Sequence, residues 1–187
     1  VTRAQAGTEV HTTAYPEGPL RSVLANTAAL LRADVGTTMI TGDYGNWDMH
    51  TGLSQGTQDP SQGWMFDQVS HLAGSLKAFF ADLGPSASRV TVLTMSEFGR
   101  RVAENDNYGL DHGYGNVMFV AGAGVKGGRY YGTWPALHRS LEADPPLPTA
   151  YRPVPRAVGP ARFGRPPPPA PPRPPPPHPP PAGVAPG

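Results

Sequence analysis

Cysteine is absent from the 187-residue chain, which excludes disulfides, thiolate zinc sites and a cysteine nucleophile but says little about compartment. No apolar run approaches the ~18 residues of a membrane-spanning helix. The chain opens Val1-Thr2-Arg3-Ala4 with neither an initiator methionine nor a signal-peptide pattern, so it reads as a fragment or processed product. Proline is scarce at first: only Pro16, Pro19, Pro60, Pro85 and Pro135 precede residue 145, and the other 20 of the 25 crowd residues 145–187. A segment so poor in backbone N–H groups cannot sustain a ladder or a helix. The expected organisation is therefore one foldable part over residues 1–144 and a proline-rich disordered tail over 145–187. Acidic residues stop at Asp144, whereas five of the 15 basic residues lie beyond it. Residues 1–144 are thus net acidic, and the overall charge of +1 gives no reason to expect nucleic acid as a partner.

What is present in residues 1–144 is periodic. Leu20, Val23, Leu24, Ala28 and Leu31 fall on one helix face, and Met65, Val69, Leu72, Leu76, Phe79, Phe80 and Leu83 mark a second amphipathic helix that Gly84-Pro85 stops. Between and after these helices, residues 36–41 are short and β-branched, residues 89–95 form a nearly continuous apolar run, and residues 116–121 form a third. Each reads as a strand, the second as one buried on both faces. The order helix, strand, helix, strand, loop, strand predicts an α/β fold with a mostly parallel sheet, in which ligands sit beyond the carboxyl ends of the strands.

Two clusters stand beyond such ends, Asn46-Trp47-Asp48-Met49-His50 after the first strand and Ser96-Glu97-Phe98-Gly99-Arg100-Arg101 after the second, and a third, Gly109-Leu110-Asp111-His112-Gly113-Tyr114-Gly115, precedes the third strand. Asp48 and His50, two apart, point the same way from an extended backbone. Asp111 and His112 are adjacent and converge on one ion only from a loop. Carboxylate oxygens and imidazole nitrogens suit Zn²⁺, Mn²⁺ or Fe, and these two pairs with Glu97 supply ligands for one site or part of a two-metal site. Each cluster also has an ordinary structural reading. Asp48-Met49-His50 and Asp111-His112 read as surface turns, Ser96-Glu97 as a capped helix start, and Arg100-Arg101 as a solvated pair.

The strings Gly45-Asn46-Trp47-Asp48-Met49-His50, Thr94-Met95-Ser96-Glu97-Phe98-Gly99-Arg100-Arg101, Glu104-Asn105, Asp111-His112-Gly113 and Gly127-Gly128-Arg129-Tyr130-Tyr131-Gly132-Thr133-Trp134-Pro135 resemble the C-terminal half of the DUF1501 proteins, a branch similar to the alkaline phosphatase and sulfatase superfamily. The resemblance implies a three-layer α/β/α sandwich, one or two divalent ions (Zn²⁺ or Mn²⁺), and export to the periplasm or exterior through a twin-arginine signal. Carried over by motif, it makes Asp48, His50, Glu97, Asp111 and His112 metal ligands and Arg100 the group that neutralises a substrate anion. The nucleophile of that superfamily belongs to an upstream strand and is not expected within this chain.

Three functions follow as expectations. The first is a metal-dependent hydrolase of phosphate or sulfate esters, acting on a small anionic ester and inactive without the upstream half. The second is a metal-binding or cell-envelope protein without turnover. The third is an adaptor whose polyproline tail, extended by composition, engages SH3-type or WW-type grooves.

Overall fold

The computed structural model describes residues 13–53, 59 and 61–132. Both helices form where the periodicity places them. Helix α1 spans Leu20–Arg32 and begins directly after Pro19, whose fixed φ suits a helix entry; Arg32 in its last turn complements the helix dipole. Helix α2 spans Trp64–Leu83, with Asp67 in its first turn. It ends at Gly84, whose φ of 51° is a left-handed conformation that glycine adopts without strain. A 3-10 helix over Gly84–Arg89 follows. The two helices enclose a small core of Ala28, Phe79 and Leu83, against which Tyr15, Leu24, Leu31, Phe80, Val90 and Val92 pack.

The strands do not make the expected sheet. Among the described residues there are two separate two-stranded antiparallel sheets. In one, β1 (Thr91–Leu93) pairs with β4 (Val120–Gly122). In the other, β2 (Gly99–Glu104) pairs with β3 (Leu110–Gly113). The three-layer α/β/α sandwich with a mostly parallel sheet is therefore not the observed fold.

The physical reason lies in the connections and in burial. Parallel neighbours need a crossover, usually a helix, whereas β1 and β4 are joined through a hairpin that returns the chain in the opposite direction. Residues 36–41 lie in no ladder, and Met39 is 74 % exposed there. The run over 89–95 contributes only three paired residues, none of them fully buried, and Met95 lies exposed beyond them. The third run pairs only from Val120, with Phe119 exposed before it. Ser96 and Glu97 begin no helix. No helix among the described residues is long and apolar enough to cross a membrane. The tail from residue 145, and the partner expected for it, lie outside the described residues, as does Thr133-Trp134-Pro135.

The helices are joined by a polar cluster at the edge of their core. Asp82 is 3 % exposed and accepts hydrogen bonds from the Tyr15 hydroxyl at 2.8 Å and from Arg32 Nη1 at 2.5 Å. Arg32 Nη1 also donates to the Asp82 backbone carbonyl at 3.0 Å. Burial, reinforced by the adjacent Asp82 carboxylate, keeps the Tyr15 phenol protonated well above its ordinary value of 10.0, with Arg32 opposing. An acid whose affinity for its proton is higher in the folded chain contributes stability that is complete below the unfolded value and lost as pH rises above it. Urea midpoints are therefore expected to fall as pH rises above about 10. Tyr15→Phe is expected to remove part of that fall while costing about 1–2 kcal/mol at neutral pH; an unchanged alkaline slope in the variant would place its origin elsewhere.

Candidate metal centre

The turn between β2 and β3 builds the site's floor. Asn105 Oδ1 accepts the backbone N–H groups of Asn107 and Gly109, each at 3.0 Å, an Asx arrangement that closes the turn locally. Asn105 N–H donates to Gly109 O at 2.8 Å. The segment around Asp48 docks against this hairpin through its backbone: Leu110 N donates to Met49 O at 3.0 Å, Gly52 N to Asn107 O at 3.1 Å, and Leu53 N to Tyr108 O at 2.7 Å. Met49 is fully buried, while Asp48 and His50 on either side of it reach outward and meet. The alternation along the chain thus puts the apolar residue inside and both polar neighbours in the site.

Arg100 holds this docking from the other side. Its Nη2 donates to Trp47 O at 2.6 Å and to Asp48 Oδ1 at 3.1 Å, and its Nη1 donates to Leu110 O. The guanidinium lies 4.7 Å from the Phe98 ring centroid, and the Phe98 ring stacks on His112 at 4.1 Å. Because Arg100 and His112 are also opposite one another in the β2–β3 register, one side chain fixes both halves of the site.

Three side chains converge. His112 Nε2 stands 2.7 Å and His50 Nε2 3.1 Å from Asp48 Oδ1. One potential ligand atom from each of Asp48, His50 and His112 lies within 4.8 Å of the others. Ligand atoms around a tetrahedral ion with bonds of about 2.0–2.1 Å stand roughly 3.3 Å apart, so small side-chain adjustments suffice, and a donor set of one carboxylate and two imidazoles fits a divalent cation. The hydrogen bond from His112, with help from His50 and Arg100, holds the Asp48 carboxyl below its ordinary 3.8. Asp111 is held low in the same way, by the Asn105 amide first and then by His50. Both are therefore ionised at neutral pH, as their contacts require.

The other residues singled out by the sequence stand differently. Asp111 does not belong to the three-residue group; its Oδ1 lies 3.2 Å from His50 Nδ1. Glu97 is exposed in the loop between β1 and β2 and is also outside the group. Arg100 is 15 % exposed and engaged with two carbonyls and Asp48. Asn105 is the residue that sequence reasoning passed over except as part of a motif. The signal was there: Asn105-Asp106-Asn107 between two potential strands is an Asx-turn pattern.

Gly109 tests the docking. A Cβ at this position would run into the carbonyl carbon and oxygen of His50 and the nitrogen of Thr51. Gly109→Ala is expected to destabilise the chain by about 1–3 kcal/mol through overpacking. Gly127→Ala, where a Cβ meets nothing within 4 Å, is expected to stay within about 0.5 kcal/mol of the wild type. Equal urea midpoints for the two variants would show that the segment is not pressed against the hairpin.

Comparison with known proteins gives one match. Residues 2–149 fit the family model described as "Protein of unknown function (DUF1501)", while no curated protein and no solved structure matches significantly. The fit extends over more than three-quarters of the sequence, including both helices, both sheets and every residue of the site. The chain belongs to the DUF1501 family.

Proposed function

We propose that Asp48, His50 and His112 bind a divalent cation, Zn²⁺ or Mn²⁺, and that the centre serves the hydrolysis of phosphate or sulfate esters. The observation that carries this reading is the convergence of one carboxylate and two imidazoles within 4.8 Å, from segments 64 positions apart in the chain. Three protein ligands are the number typical of hydrolytic centres, where a further position stays open for substrate or water. A divalent ion held there supplies Lewis acidity toward an ester oxygen. Arg100 adds a fixed positive charge beside Asp48, which suits an anionic ester. The side-chain exposures of Asp48, His50 and His112, 61 %, 43 % and 48 %, favour a second reading, metal binding without turnover, because catalytic electrostatics gain most in an enclosed site.

The full chain, stripped with chelator, is expected to take up Zn²⁺ or Mn²⁺ in a calorimetric titration. His112→Ala is expected to weaken that uptake at least ~10-fold. Metal-dependent release of a chromogenic phenol from aryl phosphate or sulfate esters, lost in His112→Ala, supports the hydrolase. Uptake without release leaves the second reading, and absence of uptake overturns both.

A further inference from the structure

His50 is set between two carboxylates. Its Nδ1 faces Asp111 Oδ1 at 3.2 Å and its Nε2 faces Asp48 Oδ1 at 3.1 Å. Ionised carboxylates only accept, and a neutral imidazole has a single N–H, so only one of these approaches contains a proton. The Asp48 oxygen already accepts from His112 and Arg100. The Asp111 oxygen accepts from Asn105 Nδ2 at 3.1 Å, a neutral donor that leaves its negative charge available to the ring. Asn105 is itself locked: the same Nδ2 donates to His50 O at 3.0 Å, and its Oδ1 receives the two backbone N–H groups of the turn. Asp111 is thus held at a fixed place relative to the backbone of the histidine it faces.

We infer that Asp111, held by Asn105, is a positioning residue for His50: it keeps the ring proton on Nδ1 and so turns the Nε2 lone pair toward Asp48 and the cation position. Asp111 is then a partner of a ligand rather than a ligand. This inference rests on the metal reading for its purpose, but the proton's location is a property of the chain alone. A carboxylate behind a ligating histidine sets the tautomer and raises the basicity of the nitrogen that binds. In Asp111-His112, two adjacent side chains would then serve the same centre in different ways, His112 directly and Asp111 through His50.

Two measurements on the full chain test this. Long-range ¹H–¹⁵N correlation spectra of the metal-free protein, at a pH where its imidazoles are neutral, are expected to show His50 as the Nδ1–H tautomer. The same form is expected in Asp111→Asn, which retains an accepting oxygen, and the Nε2–H form in Asp111→Ala. Wild-type His50 in the Nε2–H form, or a tautomer indifferent to Asp111→Ala, overturns the inference. Titration with Co²⁺ as the probe is expected to show Asp111→Ala binding about 10–100-fold more weakly than wild type with an unchanged visible absorption envelope, whereas His112→Ala alters that envelope. An Asp111→Ala spectrum altered as in His112→Ala identifies Asp111 as a ligand and overturns the positioning role. If the wild type takes up no Co²⁺, the metal reading fails, and the tautomer spectra still decide whether Asp111 orients His50. Where Asp111→Ala does not fold, Asp111→Leu, close in shape to aspartate but without an accepting oxygen, serves in its place with the same expected outcomes.

Discussion

The guanidinium of Arg100 is the constraint on which the centre depends. It bonds two backbone carbonyls from separate stretches of chain, Trp47 and Leu110, reaches the Asp48 carboxylate, and rests on Phe98. A planar fork with several fixed N–H directions can do all of this at once, whereas an ammonium is a point charge that holds no such orientation. The carbonyls it satisfies belong to loop and strand-edge backbone, and leaving them without partners away from water would be costly. Phe98 then conveys the same order to His112 by stacking. Two short strands, which would be marginal alone, thus acquire a docked segment and a defined register opposite it.

The helical part is held by a related device in a drier setting. Asp82 lies at the edge of the Ala28, Phe79 and Leu83 core, and its charge is compatible with burial because Arg32 and Tyr15 both donate to it. The bond from Arg32 to the Asp82 carbonyl adds a contact to the main chain of the second helix. Tyr15 brings in the segment before α1, so three stretches of chain meet at one carboxylate. The apolar core alone is small; this cluster specifies how the helices face one another.

The helices were legible because their apolar spacing is unambiguous and their ends carry Pro19, Gly84 and Pro85. The strands were legible only as local tendency. A β-branched run such as residues 36–41 says that a chain prefers to be extended, not that a neighbour exists to pair with it, and among the described residues none pairs with it. The hairpin was hidden for the opposite reason: Gly99–Glu104 is charged and exposed over much of its length, and its pairing is specified by the turn at Asn105 rather than by hydrophobicity. For the site, the Asp48–His50 spacing was readable from extended geometry, and His112 entered through its motif. The distinct place of Asp111 was not readable, because whether adjacent side chains share an ion or divide the work depends on what faces each of them across the hairpin.

The β2–β3 ladder aligns Gly99 with Gly113 and Arg100 with His112, then slips before Glu104 meets Leu110. The residues within that slip, Arg101, Val102 and Ala103, have no opposite number in the register and lie largely at the surface. A bulge bends its strand and increases the local twist, so the turn at Asn105 leaves the ladder at its own angle while Arg100 stays opposite His112. The irregularity thus lets one short hairpin present two surfaces to the same segment of chain, Arg100 and His112 toward Asp48 and the Asn105 turn toward His50 and Gly52.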